Sequence, residues 1–231
     1  MFAKFLPGVI AALPSQCRVC QRWPTQPVCE DCVAQFAQPH PRCDTCALPL
    51  PQGMRLCGAC LKAPPPLDRC LAAVAYAYPW SGLIADFKFH DQSGLARSLA
   101  TLLRAAPWVE PALDAADVVL PMPLSPQRLS ERGYNQAHLL ARALSRSKTH
   151  TQVLLRVQDT PAQHTLKREQ RLCALAQAFA VDPLLVHKVK GSRVVVVDDV
   201  MTTGASLHAV AHVLRAAGSR HITGLVFART D

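Results

Sequence analysis

The chain has 231 residues, half of them hydrophobic, which suffices for one domain of ordinary size and a second, smaller one. Lysine and arginine outnumber aspartate and glutamate by 25 to 16, and the net charge of +9 favours anionic partners such as nucleic acids, nucleotides or phosphates. No stretch approaches 18 uninterrupted apolar residues, so the sequence predicts no membrane-spanning helix.

The first segment, residues 1–17, is mildly apolar, but Pro7 and Pro14 interrupt it and it is too short to span a bilayer. The cysteines that follow are spaced as metal ligands, which argues against export to an oxidising compartment. We therefore predict a cytoplasmic protein whose N-terminus forms a short helix or an extended arm.

Eight of the ten cysteines form four C-x-x-C pairs between residues 17 and 60. One such knuckle directs two thiolates at one point, and two knuckles make a tetrahedral four-cysteine site for structural zinc. Two zinc sites are therefore predicted. Sequential and interleaved pairing of the knuckles both remain open, and disulfides or redox dithiols are the alternative without metal. The predicted ligands are Cys17, Cys20, Cys29, Cys32, Cys43, Cys46, Cys57 and Cys60.

A run of three prolines, 64–66, is typical of a stiff linker and sets the predicted domain boundary. Residues 1–66 are then a double zinc ribbon with an N-terminal arm, and residues 67–231 form the main domain. From residue 71 onward strand and helix patterns alternate, which predicts an α/β fold with a parallel sheet. The predicted strands are 71–78, 117–120, 153–157, 178–181, 194–197 and 222–228.

Two arginines, Arg128 and Arg132, lie four positions apart after the turn P-M-P-L-S at 121–125. On a helix they would share a face, which suits a polyphosphate or a nucleic-acid backbone, or simply a solvated basic surface. Lys88 lies between two aromatic residues of a predicted helix, where a solvated side chain is the default interpretation.

The stretch 194–206, VVVVDDVMTTGAS, carries the strongest signal in the chain. Its β-branched run predicts a buried strand that ends at Asp198 and Asp199. A glycine loop that opens a helix offers free N–H groups and a positive dipole end to a phosphate, and nearby hydroxyls add donors. Two carboxylates beside such a loop fit a ribose diol or a magnesium ion on a diphosphate.

These thirteen residues resemble the signature with which type I phosphoribosyltransferases bind phosphoribosyl pyrophosphate (PRPP). The resemblance implies catalytic Asp198 and Asp199 on the ribose hydroxyls, residues 202–206 around the 5′-phosphate, and Mg²⁺ bound with PRPP. It also implies a pyrophosphate loop after strand 117–120 and a place for Lys88 on the substrate face. The PRPP candidates are Asp198, Asp199, Met201, Thr202, Thr203, Gly204, Ala205 and Ser206; the anion candidates are Leu124, Ser125, Arg128, Arg132 and Lys88.

The block at 120–144, with R-G-Y-N-Q-A followed by a leucine-rich helix, indicates one particular family among the proteins with such a domain. It resembles the ComF family of competence-associated proteins, which join an N-terminal zinc ribbon to a phosphoribosyltransferase-like domain. The resemblance spans nearly the whole chain. It implies that Gln163 and Arg171 belong to a mobile loop closing over the substrate, although Ala174 stands where many relatives carry asparagine.

The expected function is PRPP binding by a phosphoribosyltransferase-type domain that acts in DNA uptake or in nucleotide or nucleic-acid metabolism. An active transferase would displace pyrophosphate from C1 of PRPP by a nitrogenous acceptor, yet no side chain stands out as a general base. The alternative is a non-catalytic protein that handles single-stranded DNA and whose pocket senses a ligand or is vestigial. Expected partners are PRPP or a related phosphoribosyl ligand, single-stranded DNA and proteins of a DNA-uptake system.

Overall fold

The computed structural model describes residues 15–158 and 177–231, and its backbone divides into two compact units, Met1–Gln38 and Pro39–Asp231. The helices are α1 (Glu30–Phe36), α2 (Gly58–Lys62), α3 (Trp80–Phe89), α4 (Leu95–Ala105), α5 (Val109–Ala115), α6 (Pro126–Arg132), α7 (Gln136–Leu144) and α8 (Ala205–Ala216). The strands are β1 (Arg69–Ala75), β2 (Val118–Pro121), β3 (Leu154–Arg156), β4 (Phe179–Val181), β5 (Arg193–Met201) and β6 (His221–Arg229). One 3-10 helix covers Pro183–Lys188.

The described residues of the smaller unit, 15–38, bury few apolar side chains. An isolated antiparallel β-bridge pairs Ser15 with Thr25, and α1 starts directly after Cys29. Its buried hydrophobic residues are three cysteines and Val28 among the residues described. The burial of so little apolar surface by residues 15–38 offsets little of the loss of chain entropy, and a bound metal is a common source of the missing stability in segments of this kind.

The larger unit is built on a four-stranded parallel sheet in the order β1-β6-β5-β2, which confirms the predicted α/β fold. The central run Val194–Val197 is buried at every position, as a parallel strand covered on both faces requires. On one face Val194 and Val196 belong to the same core as Leu214 of α8. On the other, Phe227 of β6 meets Trp80 of α3 edge to face, with 5.8 Å between ring centroids.

The second pair of knuckles, residues 43–60, belongs to the larger unit. Its four cysteines are part of the core that contains Val196 and Leu214, and the N–H of Cys70 on β1 donates to the carbonyl of Asp44 at 2.7 Å. Residues 39–66 therefore pack with the sheet. The domains 1–66 and 67–231 stay a prediction, because compactness alone does not define a unit that folds independently.

The strands predicted at 153–157 and 178–181 are present, but β3 and β4 pair antiparallel with each other outside the main sheet. Gln163 and Arg171, the candidates for a loop over the substrate, lie outside the described residues. Within the parts of the chain that the structure describes, no helix is long and apolar enough to cross a bilayer.

Candidate functional site

The stretch that dominated the sequence forms a loop at the carboxyl end of β5. The strand ends at Met201, and α8 begins at Ala205, after Gly204. A cavity of about 50 Å³ lies in this loop and is lined by Asp198 and residues 200–207. Open parallel sheets bind their ligands at this edge. The structure thus brings every predicted PRPP residue except Asp199 to the wall of one small polar cavity.

Gly204 is required by the shape of the loop. Its φ of +79° is unfavourable for any residue with a Cβ, and an added Cβ would lie 2.4 Å from Cε of Met201. A hydrogen bond from the residue after β6 also fixes the start of the loop, because the N–H of Thr230 donates to the carbonyl of Met201 at 3.1 Å. Thr202 and Thr203 remain exposed at the mouth of the cavity, and Ser206 is partly exposed on the first turn of α8. Three hydroxyls therefore surround the N-terminus of a twelve-residue helix.

The two aspartates at the end of β5 differ in their electrostatic environment. Asp199 is buried and its Oδ1 lies 2.9 Å from Nζ of Lys88, which is itself largely buried. Burial and the charge of Asp199 raise the pKa of Asp198 to about 7, although Lys88 and Arg132 lower it. One carboxylate is thus held in an ion pair, while the other is part-protonated at neutral pH. A ligand that donates hydrogen bonds to Asp198 would drive its ionisation.

Lys88 is placed by the block that carries the R-G-Y-N-Q motif. The hydroxyl of Tyr134 donates to the carbonyl of Phe87 at 2.5 Å, and Nε2 of Gln136 donates to the same carbonyl at 3.4 Å. Both bonds fix the last turn of α3, which contains Lys88. The solvated default for Lys88 is wrong, since only 18% of its side chain is exposed. Sequence reasoning missed this clamp because its partners are nearly 50 positions apart.

The predicted pyrophosphate turn lies beside the aspartates. Strand β2 pairs with β5 so that Pro121 is opposite Val197, and Leu124 and Ser125 follow in the turn to α6. The Ser125 hydroxyl caps that helix by accepting the N–H of Arg128 at 3.3 Å, and it is buried. Its hydroxyl oxygen therefore already has a partner as the N-cap of α6.

The two arginines of α6 have different surroundings. Arg128 is exposed. The guanidinium of Arg132 lies 5.2 Å from the ring centroid of Phe89 and donates to Oε1 of Gln136 at 3.1 Å. Because Arg132 also lowers the pKa of Asp198, it belongs to the electrostatic environment of the carboxylates. Among the described residues, Lys88 and Arg132 are thus the cations whose charge acts on Asp198.

The eight knuckle cysteines form two groups of four, paired in sequence order, with all sulfur atoms of a group within 4.8 Å of one another. The separations are 3.8 Å between Sγ of Cys17 and Cys32, and 3.7 Å between Sγ of Cys46 and Cys57. A tetrahedron with Zn–S bonds of about 2.3 Å has edges of about 3.8 Å, so both groups fit a zinc ion.

Backbone amides also prepare the clusters for a cation. Burial raises the pKa of Cys17, but N–H groups of Cys20 and Cys29 outweigh it and lower the pKa to about 6. In the second cluster burial likewise raises the pKa of Cys43, and the N–H groups of Cys57 and residue 45 lower it to about 6. In each cluster, backbone amides thus lower the pKa of one thiol and favour the thiolate form that binds a metal ion.

Arg229, near the end of β6, is a buried cation that the sequence did not reveal as a site residue. Its Nε donates to the carbonyl of Cys46 at 2.9 Å and its Nη1 to the carbonyl of Met201 at 3.4 Å. A knuckle of the second cluster and the loop after β5 therefore share one guanidinium. A charged residue at the end of an otherwise buried strand was the available signal.

Residues 131–230 match the family described as phosphoribosyl transferase domain, and with the parallel sheet and its loop they define a phosphoribosyltransferase-type domain. The chain is 31% identical to the DNA utilization protein YhgH of Escherichia coli O6:H1, over 88% of this chain and 90% of that protein. It is 34% identical to Competence protein F of Haemophilus influenzae, over 84% and 87% of the two chains. Competence protein ComFC of Bacillus subtilis matches at 36% identity over 42% of this chain and 38% of its own. The chain belongs to the ComF family of competence and DNA utilization proteins, which confirms the resemblance seen in the sequence.

Proposed function

We propose that this protein binds PRPP together with Mg²⁺ at the loop after β5 and that it acts in DNA uptake and use. The observation that carries the proposal is the unequal pair of aspartates, one in an ion pair and one with a pKa near 7, beside a helix N-terminus ringed by hydroxyls. The names of its relatives support the biological role.

The phosphate end of the ligand would lie in the cavity of the loop. Gly204 gives the 5′-phosphate close access to the backbone, and the hydroxyls of Thr202, Thr203 and Ser206 supply further donors. Two ribose hydroxyls would donate hydrogen bonds to Asp198 and Asp199. These bonds would stabilise the charged form of Asp198, which would therefore lose its proton. Lys88 compensates the resulting negative charge.

The pyrophosphate would lie toward the turn after β2, where the positive charge of Arg132 attracts it. Mg²⁺, when bound, neutralises charge on the pyrophosphate oxygens, and carboxylates with phosphate oxygens form the oxygen-rich ligand set that this ion takes. In a transfer reaction the C1–O bond to pyrophosphate breaks and a bond from C1 to a nitrogen of the acceptor forms. The residues named here orient the ribose and balance charge in that step.

Zinc is the proposed ion in both cysteine clusters, where it would have a structural role. Four cysteine ligands leave no open coordination position for a substrate or water. Metal analysis of protein purified without added metal should find two zinc ions per chain, and a metal-free protein with an ordered smaller unit would contradict this assignment.

The binding proposal is tested by calorimetric titration of PRPP with Mg²⁺ into the zinc-loaded protein. We expect saturable binding that Asp198→Asn/Asp199→Asn abolishes. Asp117→Asn is a matched control, because Asp117 is exposed and its oxygen also accepts a backbone N–H, that of Arg193, at 2.8 Å. If the folded wild-type protein shows no saturable heat, the PRPP site does not exist as proposed. Pyrophosphate release on adding nitrogenous bases then separates transfer from binding alone.

A further inference from the structure

A second concave surface, which shares no lining residue with the loop, lies along the β1 edge and the amino ends of β5 and β6. One cavity of about 380 Å³ is bordered by Arg42, Arg55, Arg69 and Trp108. A smaller one of about 100 Å³ is bordered by Arg69, Arg193 and His221. Arg69 borders both, so the two cavities are neighbours, and together they are called the basic track below.

The track and the loop of the PRPP site share no lining residue. Arg193 opens β5 and Met201 ends it, so the nine-residue strand places the Arg193 end of the track roughly 26 Å from the loop. The larger cavity is nearer, because Sγ of Cys70 in its lining lies 3.5 Å from Sδ of Met201. Within the track, Arg69 and Arg193 are on strands two positions apart in the sheet, which corresponds to about 10 Å across it. The charges are thus distributed along a path and not gathered at one point.

Charge on the track is mainly positive. Its lining contains four arginines, and the single acidic residue, Asp44, is already paired with Arg55 at 2.8 Å. The side chain of Arg55 is nevertheless 87% exposed, so its guanidinium remains accessible to a second anion. A surface of this kind is complementary to an extended chain of phosphates.

Trp108 adds a flat aromatic surface to the border of the larger cavity. It is 62% exposed although it is large and apolar, and its φ of +69° is a backbone conformation that bulky residues rarely adopt. The guanidinium of Arg69 lies over its ring, 5.1 Å from the centroid. An exposed indole beside several guanidinium groups is how proteins hold an unpaired base next to its phosphates.

We propose that this track, Arg42, Arg55, Arg69, Trp108 and Arg193, binds single-stranded nucleic acid, with one base stacked on Trp108 and adjacent phosphates on the arginines. The inference deepens the proposed role in DNA use by naming the surface that holds the strand. It uses no residue of the PRPP site, so either proposal can fail without the other.

The test is fluorescence anisotropy of a labelled oligothymidylate of about twenty nucleotides with the full-length, zinc-loaded protein between about 50 and 200 mM salt. Trp108→Ala removes the surface on which the base stacks, so it should weaken binding about tenfold (about 1.4 kcal/mol) and leave the salt slope unchanged. Trp108→Phe, which keeps a ring, should bind nearly as the wild type does. Arg69→Ala and Arg193→Ala should each reduce the slope of log K against log salt by about 0.7, the single-strand value per phosphate contact.

Matched controls separate the track from general basicity. Trp23 is exposed to the same extent as Trp108, and Trp23→Ala should not change the affinity. Arg97→Ala removes an exposed arginine of α4 and should not change the slope of log K against log salt. Asp198→Asn/Asp199→Asn should bind the oligonucleotide normally, and Trp108→Ala should bind PRPP as the wild type does, so failure of one proposal is distinguishable from failure of the other.

Three results would overturn the proposal. The first is wild-type affinity of folded Trp108→Ala together with an unchanged slope in Arg69→Ala. The second is competition by thymidine monophosphate that is as strong, per nucleotide, as that of the oligomer, which would indicate a site for a free nucleotide. The third is equal affinity for a duplex of the same length, because bases inside a duplex are stacked on one another and are not available to an indole.

Discussion

We expect that Asp198 lowers the stability of the folded protein at neutral and higher pH, although it contributes to the binding site. Its pKa lies near 7 against an ordinary value of 3.8, because burial and Asp199 oppose its charge. Between these values the folded state binds more protons than the unfolded chain does. Stability therefore falls as pH rises from about 4 to about 7. Asp198→Asn removes the ionisation and should make the protein more stable at pH 8 while it weakens PRPP binding.

The size of the effect follows from the pKa. Each pKa unit corresponds to about 1.4 kcal/mol, so ionising Asp198 in the folded protein costs at most about 4 kcal/mol. The asparagine oxygen can still accept the N–H of Asp199, which donates to Oδ1 of Asp198 at 2.9 Å. Its amide group needs a partner of its own, which offsets part of the gain. We therefore expect a net increase of about 2 kcal/mol in the free energy of unfolding at pH 8.

The assay is urea unfolding of the zinc-loaded protein at pH 5 and pH 8, followed by far-UV circular dichroism. The gain of Asp198→Asn should be large at pH 8 and small at pH 5, where the wild-type side chain already carries its proton. Asp117→Asn, an exposed carboxylate that accepts a comparable N–H bond, should show no such difference. A variant that is less stable than the wild type at both pH values would refute the electrostatic argument.

The same site gives three further predictions. Lys88→Met leaves buried Asp199 without its partner, so the free energy of unfolding should fall by about 3 kcal/mol, and the pH midpoint for PRPP binding should rise in calorimetric titrations. Gly204→Ala should weaken PRPP binding at least tenfold (about 1.4 kcal/mol) in the same titrations, since its Cβ would collide with Met201. Cys43→Ser should reduce bound zinc by one ion and lower the melting temperature by several degrees (from about 1–2 kcal/mol), because its cluster is part of the sheet core.

The loop after β5 was predictable because its residues are contiguous. A buried strand, two acids and a glycine before a helix define a local geometry, and the chain cannot separate them in space. The difference between the two carboxylates was not predictable in the same way. It depends on Lys88, which is more than 100 positions away in the sequence and reaches Asp199 only through the packing of α3.

The R-G-Y-N-Q block shows the limit of interpretation by residue type. Its Arg132, together with Arg128 before it, suggested an anion-binding face, whereas Tyr134 and Gln136 act as donors that fix the end of α3. Asn135 has a similar structural role, since its Nδ2 donates to the carbonyl of Met122 at 3.0 Å and its Oδ1 caps α7. A polar motif that ties elements together looks, in sequence, like one that binds a ligand.

For the cysteines, the sequence predicted the ligands and left their pairing open, because knuckle spacing is compatible with both arrangements. The fold resolves the pairing, and it also explains why the second cluster is not a detached ribbon. Arg229 is a buried cation whose donors are divided between the carbonyls of Cys46 and Met201, so neither the knuckle nor the loop can shift without leaving a buried guanidinium donor unpaired. The planar guanidinium supplies the two bonds from different nitrogens, Nε and Nη1, whereas a lysine would have to make both from one nitrogen. Arg229 therefore couples the position of the cluster at residues 43–60 to that of the loop at 198–206, although the two are about 140 residues apart in the sequence.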